Sequence, residues 1–236
     1  MEIYEMSFNQ KYNFKINFDQ FGKRVNDFFY DKSEEKLITK FEETCLALKK
    51  KNKNHYSMIE LGSNQAYYSC LFKAILGNSV TQNIMVEPVD YAIIRGKENF
   101  KINGFDGVFL NESIGDSWGF DKELFQTRLP TNSFNKPQTT ISKILSDFQI
   151  DELDILQCDI DGSELFMLNS NKDVFDKKQI KHLFLCTHQT PQHPDNFLHE
   201  NCKLFLLNFN YELIYELYDT ADRQGADGVL IFKSKP

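Results

Sequence analysis

Over residues 12–18 apolar and polar positions alternate, with Tyr12, Phe14, Ile16 and Phe18 on one side. A period of two predicts a strand or an edge hairpin. The period then lengthens. Leu37, Ile38, Phe41, Cys45 and Leu48 recur at helical spacing and mark the buried face of a helix. Asp31 is placed as its N-cap, with Glu34 three residues on at the capping-box spacing. The helix closes in Lys49, Lys50, Lys51 and Lys53, where the helix dipole favours cations. That role is expected in preference to a phosphate-binding patch.

From residue 57 short apolar runs alternate with helical stretches. Strands are expected at 58–61, 84–87, 108–111, 154–158 and 182–186. Helices are expected at 65–76 and 90–102, and from about 163. Strands spaced by helical patterns imply parallel βαβ units. Two more strands, 211–217 and 229–232, have only a loop between them and should pair antiparallel at one edge. The expected fold is therefore α/β: a doubly wound, mostly parallel seven-stranded sheet with an antiparallel edge pair. Residues 1–56 read as a strand and helix extension packed on the core, and 57–236 as the main domain. One irregular insert, 115–138, carries Trp118, Pro130 and Pro137 and is a substrate-loop candidate.

Composition narrows the partners. The 236 residues suffice for one domain with a sizeable core, and 22 phenylalanines predict aromatic packing in it. The formal charge of −7 and the lack of a basic tail argue against a nucleic-acid partner. No apolar run reaches about 18 residues, so no membrane span is expected. The first residues, Met-Glu-Ile-Tyr-Glu-Met, lack the basic-then-apolar order of a signal peptide. Five cysteines (Cys45, Cys70, Cys158, Cys186 and Cys202) are scattered, and none forms a Cys-x-x-Cys pair. A reduced, cytoplasmic location is expected.

Open α/β sheets bind ligands beyond the carboxyl ends of their strands. Polar residues gather at those ends here. The first strand offers Glu60, Gly62 and Asn64, and Glu60 is unusual as an acid within an apolar run. Buried, it needs a partner, and the cationic end of a ligand is one candidate. Gly62 permits a tight turn, and Asn64 could hold that turn or cap the next helix. The second offers Glu87, 21 residues beyond Ala66 and placed to accept both hydroxyls of a ribose. The third offers Asn111, Glu112 and Ser113, the fourth Asp159, Asp161 and Glu164, and the fifth Thr187 and His188. This set suits a nucleoside-bearing cofactor. A nicotinamide cofactor would call for Gly-x-Gly-x-x-Gly, whereas this chain has Gly62-x-Asn64-x-Ala66. No tyrosine has a lysine four residues on, and no Gly-Lys-Ser/Thr phosphate loop is present. S-adenosylmethionine has no pyrophosphate and needs no such cradle.

Three stretches carry a resemblance to the FkbM-type methyltransferases, a branch of the class I S-adenosylmethionine-dependent enzymes. The first is Ile59-Glu60-Leu61-Gly62-Ser63-Asn64 followed by Ala66-Tyr67-Tyr68-Ser69. The second is Val86-Glu87-Pro88 with Asn99 and Asn103 beyond it. The third runs from Thr139 to Leu145 and then from Leu153 to Glu164, including Asp159-Ile160-Asp161-Gly162. The resemblance covers roughly residues 57–190. The chain departs from the family pattern at Ala66 (usually Gly), Gln157 (usually Lys) and Asp161 (usually Glu). The resemblance implies a Rossmann-like methyltransferase fold and S-adenosylmethionine as cofactor. It also implies methyl transfer to a hydroxyl of a sugar-like or other small polar acceptor.

On this reading Glu60, Gly62, Asn64, Glu87, Asn111 and Ser113 bind the cofactor. Asp159, Asp161 and His188 are the candidate catalytic groups, because a base that takes the hydroxyl proton assists the transfer. Glu164 is divided between a site role and that of a carboxylate at a helix N-terminus. No metal is expected. His188, His193, Asp195 and His199 match no ligand template, and magnesium held by Asp159 and Asp161 with the acceptor is the better metal alternative. A nicotinamide-dependent oxidoreductase and a non-catalytic nucleoside-binding module are the competing readings.

Overall fold

The computed structural model describes residues 3–8, 12–17, 32–114, 136–189, 195, 197–218 and 226–235. The alternating segment near the N-terminus is a hairpin: β1 (Ile3–Phe8) pairs antiparallel with β2 (Tyr12–Asn17). Helix α1 (Lys32–Lys50) buries Leu37, Ile38, Phe41, Cys45 and Leu48, the face its spacing predicts. Phe18, the Asp31 cap, residues 115–135 of the insert, and His193 lie outside the described residues.

The main body alternates strand and helix. In order come β3 (Tyr56–Leu61), α2 (Tyr67–Leu76), β4 (Val80–Val86), α3 (Asp90–Asn103) and β5 (Val108–Leu110). A short pair follows, β6 (Ser113–Ile114) with β7 (Gln138–Thr139). Then come α4 (Ile141–Asp147), β8 (Leu153–Cys158), α5 (Glu164–Ser170), α6 (Lys172–Asp176), β9 (Ile180–Gln189), α7 (Leu198–Asn208), β10 (Tyr211–Tyr218) and β11 (Ala226–Ser234).

Seven strands form one sheet in the order β10-β11-β9-β8-β3-β4-β5. Neighbours from β9 to β5 are parallel, and β11 runs antiparallel to both β9 and β10. The expected antiparallel pair is present, with the last strand lying inside the edge strand. Every residue of β3 and of β8 is buried, as parallel strands covered on both faces require.

Alternation along each strand divides the core in two. Met58, Met85, Ile155 and Phe184 face α1, α2 and the β2 side chains Phe14 and Ile16. Ile59, Leu61, Leu156 and Leu183 face α4, α5, α6 and α7. The chain passes β3, β4, β5 in one direction and β8, β9 in the other. The reversal falls between β3 and β8, and the crevice beyond their carboxyl ends is where such sheets take ligands.

Candidate functional site

The crevice is built on Gly62, which has φ 69°. A Cβ there would lie 1.7 Å from the Asp159 carbonyl oxygen, so only glycine lets β3 and β8 meet. The Asp159 N–H donates to the Leu61 carbonyl at 3.0 Å, and the Gly62 N–H to that of Val86 at 2.9 Å. The loop beyond is left-handed at two non-glycine residues, Asn64 (φ 45°) and Ala66 (φ 61°). That conformation costs an L-residue roughly 1–2 kcal/mol. It gives a physical reason for glycine being usual where Ala66 stands.

Hydrogen bonds hold the loop in this shape. The Asn64 N–H donates to Glu87 Oε2 at 2.8 Å, and the Val89 N–H to Glu87 Oε1 at 2.9 Å. The Asn111 amide donates to the Glu87 carbonyl at 3.0 Å, tying the third strand end to the second. Ser113 is buried and its N–H donates to the Pro137 carbonyl at 2.9 Å, so it holds the far end of the insert. Asn64 does not cap α2. Glu60 does so from inside the sheet, accepting the Tyr68 N–H at 3.3 Å and the Ser69 N–H at 3.0 Å. A carboxylate at a helix N-terminus satisfies amides that otherwise lack partners. The partner this buried acid needed is the start of its own helix.

Burial pushes the Glu60 carboxyl up to about 8, against the pull of those amides. Burial likewise pushes Glu87 up to about 7; its two amides oppose the rise, and Asp161 and Asp159 add to it. β4 and β8 flank β3 and run parallel to it, so the ends that carry Glu87 and Asp159 lie along one edge of the sheet.

On the other side of β3, Asp159 and His188 come together. His188 Nε2 lies 3.3 Å from Asp159 Oδ1, and its Nδ1 lies 3.0 Å from Glu164 Oε1. The Gly162 N–H also donates to Glu164 Oε1, at 3.0 Å. Burial opposes a charged imidazole, but Asp159, the hydrogen bond and charge of Glu164, and Asp161 outweigh it, and His188 rises well above 6.5. Asp159 keeps 43% of its side chain exposed, whereas the Glu164 side chain is sealed. Asp161 is exposed on the turn with φ 52°. Glu164 thus supports the candidate site directly. In the sequence it stood among the polar residues at the end of the fourth strand.

His199 belongs to a separate buried network. Its Nδ1 meets Thr187 Oγ1 at 2.8 Å, its Nε2 meets Glu216 at 3.2 Å, and its ring stacks on Tyr218. The Asp195 carboxylate accepts the Phe197 N–H and the Asn201 amide. Among the described residues no group of three or more His, Cys, Asp or Glu is arranged to hold a metal ion.

The crevice can be tested for the cofactor. Ser63 Oγ and Gln65 Oε1 lie in the glycine loop, buried and without a hydrogen-bond partner among the described residues. Buried polar atoms ordinarily have partners. A polar ligand along this loop would supply them, and the acids around it suit hydroxyl, amino and sulfonium groups. The donor set fits S-adenosylmethionine.

Comparison with known proteins agrees with the geometry. Residues 30–213 match the family described as the methyltransferase FkbM domain. No curated protein matches the chain. Among solved structures, a methyltransferase FkbM from Methylobacillus flagellatus KT aligns at TM-score 0.51 and 14% identity, over 75% of this chain and 44% of that one. TrmK of M. capricolum, in complex with the cofactor product S-adenosyl-homocysteine, aligns at 0.45 and 14%, over 78% and 64%. Trm5b from Pyrococcus abyssi aligns at 0.48 and 12%, over 99% and 56%. At these identities the likeness is one of fold. The chain spans less than two thirds of the length of each of these three structures.

Proposed function

The chain belongs to the FkbM methyltransferase family, whose members use S-adenosylmethionine, and on that ground we propose that it methylates a hydroxyl oxygen of a small, polar, sugar-like acceptor. The observation that carries this reading is the Asp159–His188–Glu164 cluster beside Gly62, at the mouth of the crevice.

The proposed donor site uses Glu87 for the ribose hydroxyls. The backbone of Gly62 to Asn64 lines the amino-acid end, with Glu60 fixing the helix behind it. Asn111 and Ser113 shape the far wall. The bound cofactor supplies a methyl group already activated on a sulfonium. The chain's own task is then alignment, exclusion of water and acceptance of one proton. Asp159 is the half-exposed member of the cluster and accepts the acceptor hydroxyl's hydrogen. His188, charged between two acids, steadies the Asp159 carboxylate, while Glu164 holds the ring. On this reading Asp161, exposed on the turn, binds a second hydroxyl.

The same charges support a neutral acceptor over a polyanion. Glu87, Asp159 and Asp161 all follow strands that end at the same sheet edge, and the chain carries −7 overall, so a nucleic-acid backbone would meet like charge. Five buried cysteines in the thiol form support a cytoplasmic location. No helix among the described residues is long and apolar enough to cross a membrane.

The test is transfer of labelled methyl from S-adenosylmethionine to a panel of sugars, polyols and RNA. A sugar or polyol should be labelled. Asp159→Asn should lower kcat about 100- to 1,000-fold, in the range of a lost general base, with S-adenosylhomocysteine affinity within twofold. Labelling of RNA alone would overturn the acceptor assignment, and an unchanged kcat would remove Asp159 from its role.

A further inference from the structure

Two asparagines of α3 make an arrangement that the donor site does not use directly. Asn103 treats β2 as a neighbouring strand would: its Oδ1 accepts the Lys15 N–H at 2.6 Å and its Nδ2 donates to the Lys15 carbonyl at 2.6 Å. One edge of β2 pairs with β1, and the other is covered by these side-chain amides. Asn99, one turn earlier and fully buried, does two things at once. Its Oδ1 accepts the Asn17 N–H from β2 at 2.7 Å, and its Nδ2 donates to the Gln65 carbonyl at 2.9 Å. Gln65 stands between Asn64 and Ala66, the two left-handed residues of the cofactor loop.

Packing joins the same parts. A Cβ on Gly96 would fall 3.4 Å from Ala66 Cβ, so α3 lies directly against the loop. Phe14 of β2 is buried with its ring edge-on to Tyr67, the first residue of α2, at 5.7 Å. The hairpin lies outside the stretch that matches the family, which begins at residue 30. Among the described residues, Asn99 provides a polar route from the hairpin to the loop.

We infer that Asn99 is a positioning residue that couples docking of the β1–β2 hairpin to the shape of the cofactor loop, so that the hairpin is a working part of the donor site. This rests on the assignment of the Gly62–Ala66 loop to S-adenosylmethionine. A strained loop is held only as firmly as its supports. When the hairpin is docked, Asn99 is clamped at its Oδ1 and keeps its Nδ2 on the Gln65 carbonyl. When the hairpin leaves, the amide is free to turn and the loop loses that support. Linkage makes the effect reciprocal: bound cofactor must tighten the hairpin by the factor with which the docked hairpin tightens the cofactor.

The experiment measures S-adenosylhomocysteine affinity by calorimetry and amide hydrogen exchange in the 236-residue wild type, Asn103→Ala and Lys15→Pro, the last of which removes the N–H that Asn103 accepts. Asn103 touches Lys15 of the hairpin and, through its Nδ2, the Asn99 carbonyl of its own helix, but not the loop, so its effect on affinity travels through Asn99. Exchange at Lys15 and Asn17 in the wild type should slow on saturation with S-adenosylhomocysteine. Both altered forms should bind it about tenfold more weakly, within the usual range of coupling between sites. KM for S-adenosylmethionine should rise with kcat within about twofold. Unchanged exchange at Lys15 and Asn17 in the saturated wild type overturns the inference, as does wild-type affinity in either folded form. If the wild type binds no S-adenosylhomocysteine at all, the donor-site assignment itself fails.

Discussion

Replacing Glu87 with Gln probes the donor site with little change of shape. Each carboxylate oxygen takes one backbone N–H, Oε2 from Asn64 at 2.8 Å and Oε1 from Val89 at 2.9 Å. A carboxylate has about four acceptor positions, which leaves about two for ribose hydroxyls. An amide turns one oxygen into a donor. One backbone N–H then faces another N–H, and one hydroxyl loses its acceptor. A hydrogen bond to a charged group contributes about 1.5–3 kcal/mol. At 1.4 kcal/mol per factor of ten, S-adenosylhomocysteine should bind about 10- to 100-fold more weakly in E87Q. The orphaned amide costs about 1–3 kcal/mol of stability, seen as a fall in Tm of about 2–10 °C. Calorimetry reads the first effect and thermal melting the second. The pH profile is an internal check. Burial pushes Glu87 up to about 7, and hydroxyl donors favour the ionised carboxylate. Wild-type affinity should therefore rise as pH climbs through about 7, and E87Q should lose that dependence. Affinity within twofold of wild type, with the same pH profile, would refute the ribose assignment.

Gly62→Ala should be severe, because its Cβ would meet the Asp159 carbonyl oxygen at 1.7 Å while φ stays at 69°. Overpacking and left-handed backbone together cost about 3 kcal/mol or more; a Tm within 2 °C of wild type contradicts the close strand contact. Burial raises Glu60 to about 8 from an unfolded value near 4.5, so between those values the folded state binds more protons than the unfolded chain. Its stability contribution is complete below about 4.5 and is lost as pH rises through about 8. Tm should fall across that window and E60Q should flatten the fall; equal slopes in the two proteins would count against the assignment. Glu164→Gln removes the sealed charge beside His188 and should move the imidazole pKa downward, followed by NMR of its ring protons. An unmoved titration would exclude Glu164 as the group that holds His188 charged.

Where a local pattern settled an element, the sequence sufficed. The period of Leu37, Ile38, Phe41, Cys45 and Leu48 named the buried face of α1 because a helix places those positions together whatever it packs on. The buried runs of β3 and β8 were legible for the same reason. The position of β11 inside β10 was not, since strand order depends on pairing across long separations. At the site, the collection of polar strand ends was legible because parallel strands share one carboxyl edge. What each polar group bonds to was less so. Asn64 could hold a turn or cap the helix; it lies in the turn, and the cap is Glu60, eight residues before the amide it meets first. Glu164 looked divided between a site role and a helix N-terminus; it stands in the first turn of α5, and one oxygen meets both Gly162 and His188. Asn99 and Asn103 stood out only by resemblance; their contacts to a strand more than eighty residues earlier have no local signature.

The central claim is that the crevice between β3 and β8 holds S-adenosylmethionine. Calorimetric titration of the unmodified protein with S-adenosylhomocysteine, and in parallel with a nicotinamide dinucleotide, tests it most directly. The account predicts saturable binding of the first at one site per chain and none of the second. At a hundred times Kd that binding should add about 2.7 kcal/mol of stability. Binding of the nicotinamide cofactor, with no heat and no rise in Tm from S-adenosylhomocysteine, would contradict it.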